Sequence, residues 1–228
     1  MDESLKTRKK RNKEFFKNYL SGRVIDIGAG KDLVTIDAER FDIEDGDANY
    51  ITKYRQAESY DCVHSSHCLE HMFNPQNALQ EWWTLVKPGG YLVVVVPEED
   101  LYEQGVWPSM FNDDHKCTFR FNKNSSWSPV SYDVEALVSS LQGADIVSIE
   151  LHDDFYDYSL LTKFPAKYSH KSSSLGFVKK IINKVPLVGK YCVQGIENFL
   201  FKYFQYPIDQ TMREALAQIQ FVVMKKKK

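Results

Sequence analysis

Two glycines follow a short apolar run near the N-terminus, in the segment Val24 to Gly30. This pattern is typical of a buried strand that ends at a ligand, because glycine lets the backbone approach the ligand closely. Asp26, inside the run, can accept hydrogen bonds from a cationic or amide group. The loop after Gly30 contains Asp32 and lacks the third glycine of the dinucleotide fingerprint, and the next acid at a strand end, Asp42, follows Gly28 by only 14 residues rather than roughly 20. A pyrophosphate would meet carboxylates in this loop, so the sequence favours a cofactor with a positive or neutral head over NAD.

Alternating strands and helices must position these residues. Apolar runs predict strands over residues 23–27, 39–43, 61–65, 91–96, 145–151 and 217–224. Amphipathic stretches predict helices over residues 5–20, 69–85 and 131–141, the second of them interrupted near Asn74-Pro75. This alternation predicts an α/β doubly wound sheet. Residues 152–208 do not follow it, so we expect them to form an insertion between the last two strands.

Four motifs occur in one order: VIDIGAG at 24–30, FDIEDGDA at 41–48, YDCVHSSHCLEHM at 60–72 and LVKPGGYLVVVVP at 85–97. In these motifs the chain resembles class I S-adenosylmethionine-dependent methyltransferases, in the subgroup that acts on small molecules, lipids or sugars. The resemblance implies one methyltransferase domain over residues 1–228. It also implies a Rossmann-like, mostly parallel sheet of seven strands, with an N-terminal helix over residues 1–21 and a helical insertion before the last strand.

The resemblance implies S-adenosylmethionine as the cofactor and a set of residues that hold it. They are Asp26, Gly28 and Gly30 at the methionine end, Asp42 at the ribose, Asp47 and Ala48 at the adenine edge, and His67 beside the methyl group. Asp37 is a second candidate for the ribose. Only eleven residues separate Gly30 from Asp42, so the first crossover helix cannot have full length. We expect a pocket that is more open on that side, or that closes only with substrate.

The loop that follows the 91–96 strand mixes aromatic, acidic and imidazole groups between Glu98 and Lys116. Such a mixture suits a polyhydroxylated acceptor, since rings stack on sugar faces and carboxylates bind hydroxyl groups. His115 is the predicted general base, with Glu98 and Glu99 as reserve candidates. His71, which follows Glu70 in the LEHM-like sequence, is a weaker candidate that fits a pocket-shaping role better.

A metal site is a further possibility in the sequence, because His64, His67, Cys68 and His71 lie close together. Their spacing lacks the paired ligands of a structural zinc site, and half of them should point to different faces of a strand-to-helix turn. We therefore predict no metal site.

The net charge of −2 is the sum of an acidic central part and two basic ends. Residues 1–13 carry +4, residues 14–162 carry −16 and residues 163–228 carry +10. Residues 163–206 interleave lysines with aromatic and aliphatic side chains, which favours an anionic membrane surface or a phosphorylated substrate as a partner. A lid or a homodimerisation arm with solvated lysines is the equal alternative. Nucleic acid is a weaker option, because no RNA-binding motif is present.

The predicted activity is O-methylation of a sugar in a cell-surface polysaccharide or its activated precursor. Other readings are a methyltransferase for a lipid or another small molecule, and a non-catalytic binding or scaffold module with the same fold. A nucleotide-sugar oxidoreductase is disfavoured by Asp32. Four scattered cysteines, no secretory signal and no apolar run of roughly 20 residues favour a cytoplasmic protein, with peripheral membrane attachment as an option.

Overall fold

The computed structural model describes residues 3–162, 195, 197–199, 201–203 and 206–227 of the chain. Four helices in this part are α1 Glu3–Lys10, α2 Lys13–Tyr19, α3 Pro75–Leu85 and α4 Val134–Ser139. The strands are β1 Val24–Ile27, β2 Glu39–Phe41, β3 Tyr60–Ser66, β4 Val86–Pro97, β5 Thr118–Arg120, β6 Ser131–Asp133, β7 Ala144–His152 and β8 Gln218–Lys225. None of the described helices is long and apolar enough to cross a membrane.

The main sheet has six strands in the order β2-β1-β3-β4-β8-β7. The pairs β1·β2, β1·β3 and β3·β4 are parallel, whereas β8 runs antiparallel to both of its neighbours. Five strands therefore share one direction. Helices cover both faces, because α3 and α4 pack on one apolar cluster and α2 on another. These features confirm the predicted doubly wound, mostly parallel α/β fold.

Strand β4 lies near the middle of the sheet and explains the aliphatic run in the sequence. Leu92 to Val96 have no exposed surface. Leu92, Val94 and Val96 belong to the cluster beneath α3 and α4, and Val93 to the cluster beneath α2. Successive side chains of a strand point to opposite faces, so only a continuous apolar run can satisfy both clusters.

Two of the predicted helices begin or end elsewhere in the structure. The N-terminal segment forms two helices rather than one, because Asn12 caps the second: its side chain accepts a hydrogen bond from the backbone N–H of Phe15. Residues 131–133 are not helical but pair with β5, and Asp133 then caps α4 by accepting from the N–H of Ala136. By contrast, α3 begins at the expected break, with Asn74 as its cap and Pro75 in the first turn.

The predicted insertion lies between β7 and β8. Most of its basic, aromatic-rich part, residues 163–194, falls outside the described residues. The expected helical insertion, and the membrane, lid and dimer roles suggested for it, therefore stay predictions.

Candidate active site

The turn after β1 depends on both of its glycines, for different reasons. Gly28 has φ +75°, and a Cβ added to it would lie 2.6 Å from the Cβ of Cys68. Gly30 has φ +57°, but a Cβ there would meet open space. Gly28 thus permits a close approach to the segment after β3, whereas Gly30 is required only for its left-handed backbone.

Asp26 holds the loop that follows this turn. Its Oδ2 accepts from the N–H of Val34 at 2.7 Å, and its Oδ1 lies 2.6 Å from Nδ1 of His64. The residue is only 2% exposed. Both carboxylate oxygens are therefore bound to protein groups, so Asp26 shapes the cavity wall. Each oxygen keeps a further acceptor position, and direct contact with the methionine end of a cofactor stays a prediction.

A buried arginine, Arg11, lines the same cavity as Asp26. We did not predict it as a site residue from the sequence. Arg11 donates from Nη1 to Nε2 of His64 at 3.0 Å and from Nε to Oε1 of Gln220 at 2.8 Å. Its Nη2 is buried and has no hydrogen-bond partner among the described residues. Burial lowers the pKa of Arg11 to about 10, so the side chain is still cationic at neutral pH. A buried cationic donor without a partner is suited to bind a carboxylate.

Helix α1 covers the side where a full-length crossover helix is missing. Arg8 donates from Nη1 to the carbonyl of Leu33 at 2.9 Å, and its Nη2 lies 2.9 Å from Oδ1 of Asp32. Ser4 donates to Oδ2 of the same aspartate. The first cavity, of about 230 Å³, lies between α1 and the glycine turn, and Arg11, Asp26, Gly28, Gly30 and His67 are among its lining residues. Helix α1 therefore covers part of the side of the pocket that we expected to be open.

Asp42 follows β2 and lines a second cavity, of about 770 Å³. Its Oδ2 accepts from the N–H of Gly30 and its Oδ1 from the N–H of Ile43, both at 2.7 Å. A carboxylate oxygen has more than one acceptor position, so both oxygens can still accept from a vicinal pair of hydroxyl groups. The alternative candidate Asp37 lines neither cavity.

The far end of the second cavity combines acidic and apolar groups. Asp47 caps the short 3-10 helix Ala48–Lys53, and its Oδ1 accepts from the N–H of Asn49 at 2.9 Å. Ile43 and Phe73 line the same cavity and are 89% and 76% exposed, which is unusual for such large apolar side chains. Sequence analysis missed both. Their position beside Asp47 and Ala48 suits the faces and the edge of a flat, hydrogen-bonding base.

The two cavities meet at Gly28 and His67, which line both. His67 has φ +54°, and its Nε2 lies 3.0 Å from Oε1 of Gln218 on β8. The joined cleft lies at the carboxyl ends of β1, β2 and β3, where chain order reverses in the sheet, which is the usual binding place of such folds. Three parts of this cleft fit three parts of S-adenosylmethionine. The unpartnered cation of Arg11 fits its carboxylate, and the acceptor Asp42 fits its ribose. The apolar end of the cleft fits its base.

Beside this cleft lies a group of four titratable residues that we call the His71 cluster: Glu70, His71, Glu103 and His115. His71 lines the second cavity with its side chain 24% exposed. His115 lies behind it, only 3% exposed, with a ring-centroid distance of 5.1 Å between the two imidazoles. Nδ1 of His115 lies 2.7 Å from Oε1 of Glu103. The predicted base His115 is therefore well oriented, but His71 is the imidazole that reaches the cleft.

The two reserve candidates for the general base, Glu98 and Glu99, have structural roles. Oε2 of Glu98 accepts from the N–H groups of Asp100 and Leu101 at 2.8 and 2.9 Å, and thereby caps the single π-helical turn Glu99–Glu103. Burial raises the pKa of Glu98 to about 7. Glu99 is fully buried and accepts from the hydroxyl of Thr118 at 2.8 Å. Neither carboxylate lines the two cavities, so neither is placed to act as a base in the cleft.

The sheet order and the cleft define a Rossmann-like methyltransferase fold. A scan against protein-family models matches residues 1–133, more than half of the chain, to the family described as "Methyltransferase domain". The chain belongs to this family, and S-adenosylmethionine is its cofactor. A search of curated proteins finds no match.

Solved structures of the same fold cover nearly the whole chain. An S-adenosylmethionine-dependent methyltransferase from Archaeoglobus fulgidus is 17% identical, with a TM-score of 0.50 and coverage of 97% of this chain and 93% of that chain. A chain in the Haloferax volcanii complex that contains the Trm112 methyltransferase activator is 12% identical, with a TM-score of 0.50 and coverage of 100% and 91%. At these identities the likeness concerns the fold.

Proposed function

We propose that this methyltransferase methylates a hydroxyl oxygen of a sugar, in a cell-surface polysaccharide or its activated precursor. The observation that carries this proposal is the His71 cluster at the edge of the cofactor cleft, because a hydroxyl acceptor must lose its proton during methyl transfer. A positioned proton acceptor contributes about 10² to 10⁴ in rate to such a step.

The cleft residues would bind and orient the cofactor as follows. Arg11 binds the carboxylate of the methionine end through Nη2, and Asp42 accepts from the ribose hydroxyl groups. Ile43 and Phe73 contact the base. Bound S-adenosylmethionine supplies an electrophilic methyl carbon on a sulfonium. Methyl transfer is an in-line displacement, so the main task of the protein is to align the acceptor oxygen, and such alignment can account for much of the rate.

His71 is the member of the cluster that can reach the acceptor. Its Nδ1 lies 2.9 Å from Oδ2 of Asp114 and 3.2 Å from the carbonyl oxygen of the same residue. Because both neighbours are acceptors, the neutral ring carries its proton on Nδ1 and leaves Nε2 free to accept one. His115 is oriented in the same way by Glu103, and its ring lies 5.1 Å from that of His71.

The surroundings of His71 support a hydroxylated acceptor. Asp114 and Lys116 line the second cavity together with Phe73. The rings of Tyr102 and Phe111 lie with centroids 5.9 Å apart, and Tyr102 also contacts the His115 ring at 5.2 Å. Acidic and cationic groups near the partly buried rings of Tyr102 and Phe111 match the alternating hydroxyl groups and apolar faces of a sugar.

The test is a methyl-transfer assay with a panel of nucleotide sugars, lipid-linked oligosaccharides, polysaccharides, phospholipids and amines, read by mass spectrometry. We expect one added methyl group on a sugar acceptor. His71→Gln should lower turnover by about 10²-fold and leave the affinity for S-adenosylhomocysteine unchanged. Methylation of amines alone would contradict the proposal. Cofactor binding without transfer to any acceptor would favour the non-catalytic binding module.

A further inference from the structure

Glu70 is a buried acid whose environment is incomplete. The residue has no exposed surface, and neither Oε1 nor Oε2 has a hydrogen-bond partner among the described residues. The nearest cationic candidates are Nδ1 of His67 at 3.4 Å and Nε2 of His115 at 4.0 Å, neither in hydrogen-bonding geometry. A buried carboxylate is costly unless it is paired or bound to a metal ion. The ion pair with His67 balances part of this charge, but neither oxygen accepts a hydrogen bond from the described residues, so the site can take a further cation.

Two imidazoles face this carboxylate in a fixed orientation. Nδ1 of His115 is held by Glu103 at 2.7 Å, and Nδ1 of His71 by Asp114 at 2.9 Å. Within the described part of the chain, Nε2 of neither ring forms a hydrogen bond. One potential ligand atom each from Glu70, His71 and His115 lies within 4.8 Å of the other two. Carboxylates that hold the second nitrogen of a histidine are the usual outer partners of metal-binding imidazoles.

We propose that Glu70, His71 and His115 bind one divalent transition-metal ion of the zinc or ferrous type. Two imidazole nitrogens and one carboxylate oxygen suit such ions better than magnesium or calcium, which prefer oxygen ligands alone. The ion would bring positive charge to Glu70. Three protein ligands leave at least one position open, as in catalytic rather than structural sites.

The open position of the ion would bind the acceptor hydroxyl group, an inference that rests on the proposed function. His71 lines the cleft, so an acceptor hydroxyl in the second cavity can reach the ion. A bound divalent ion orients such an oxygen and lowers the pKa of its hydroxyl group. In this case His71 and His115 would act as ligands, and the proton of the hydroxyl group would pass to the carboxylate of Asp114, which lines the same cavity and would replace His71 as the proton acceptor.

The sequence could not reveal this set of ligands. Of the residues first weighed for a metal, His64 is bound to Asp26 and Arg11, and His67 to Gln218. Only His71 belongs to the proposed site. The other imidazole comes from His115, which the fold brings across from the segment after β4.

The test uses the full chain without a histidine tag, stripped by dialysis against a chelator. Zn²⁺ alone is titrated by calorimetry, and Co²⁺ alone by visible absorption, into the natural protein and into Glu70→Gln, His71→Gln and His115→Gln. His152→Gln is the matched control, because its side chain is as buried as that of His115 but lies outside the cluster. We expect one ion per chain, at least 10-fold weaker binding in each cluster variant, and unchanged binding in the control.

The inference is overturned if the stripped natural protein binds no ion, or if the cluster variants bind it as tightly as the control. Retained S-adenosylhomocysteine binding shows that a variant is folded. Should a variant not fold, NMR of the natural protein decides: Zn²⁺ must shift the ring signals of His71 and His115 but not those of His152. Sugar methylation that continues unchanged in the metal-free enzyme removes the ion from the mechanism and leaves the proposed function standing. Ion binding without methyl transfer to any acceptor would support the metal site and contradict the proposed function.

Discussion

Nη1 of Arg11 donates a hydrogen bond to Nε2 of the buried His64 at 3.0 Å. Burial lowers the pKa of His64, so the ring is neutral: Nδ1–H donates to Asp26 and Nε2 accepts from the guanidinium. Through His64 and Asp26, this hydrogen bond connects the break between α1 and α2 to strand β1. Arg11 also lines the first cavity, and its Nη2 has no hydrogen-bond partner among the described residues, so we expect the N-terminal segment to take part in cofactor binding.

Arg11→Met should weaken binding of S-adenosylhomocysteine about 10- to 100-fold, because a charge-assisted hydrogen bond to a carboxylate contributes roughly 1.5 to 3 kcal/mol. Calorimetry measures the effect. Binding of methylthioadenosine, which lacks the amino-acid carboxylate, should be equal in the variant and the natural protein. Lys13→Met, a change at a nearby exposed lysine, is the control. An equal loss for both ligands would mean that Arg11 supports the fold rather than the carboxylate.

Asp42→Asn should reduce cofactor affinity by about 10-fold, since one of two charged acceptors for the ribose hydroxyl groups is replaced by an amide donor. The same measurement on Asp37→Asn provides the matched control and decides between the two candidates. Asp37 lines neither cavity, so its variant should bind as the natural protein does. If Asp37→Asn weakened cofactor binding more than Asp42→Asn, the ribose contact would belong to Asp37.

Gly28→Ala should destabilise the protein more than Gly30→Ala. Both residues have positive φ, which costs an alanine about 1 kcal/mol. Only at Gly28 does the new Cβ also collide with Cys68, at 2.6 Å. Urea unfolding gives the free energies of unfolding, and equal losses at the two sites would show that the turn can move away from Cys68.

Glu98 should make stability fall as the pH rises. Burial raises its pKa to about 7 in the folded state, whereas an unfolded glutamate titrates near about 4.3. The folded state therefore binds more protons between these two values, and stability is lost across that window as pH increases. Glu98→Gln keeps an oxygen for the two N–H groups. It should be similar to the natural protein at pH 5 and more stable at pH 8 by about 1 to 3 kcal/mol.

Urea unfolding at both pH values tests this prediction, with Glu135→Gln, at an exposed position of α4, as the control. A constant difference between Glu98→Gln and the natural protein at pH 5 and pH 8 would show that Glu98 is ionised in the folded protein throughout.

Local signals predicted the parts of the fold that depend on neighbouring residues. The glycine turn, the aliphatic strand β4 and the start of α3 at Asn74-Pro75 all follow from short-range backbone and packing preferences. Residues 131–133 did not, because their strand depends on pairing with β5, which periodicity within one segment cannot show.

The site was predictable only where its residues share a motif. Asp42, Gly28 and Gly30 line the two cavities, and their contacts with the cofactor stay predictions. Arg11 was missed because a basic N-terminal helix looks like a solvated surface until the fold buries it against His64. Glu98 looked like a base in the loop, but its carboxylate is bonded to backbone N–H groups.

The proposed activity is tested most directly by following a ¹³C-labelled methyl group from S-adenosylmethionine into cell-surface polysaccharide precursors by NMR. We expect a new signal of a methyl ether on a sugar carbon, present with the natural protein and at least about 10²-fold slower to appear with His71→Gln. A label that enters only nitrogen or carbon positions, or that appears equally fast with His71→Gln, would contradict it.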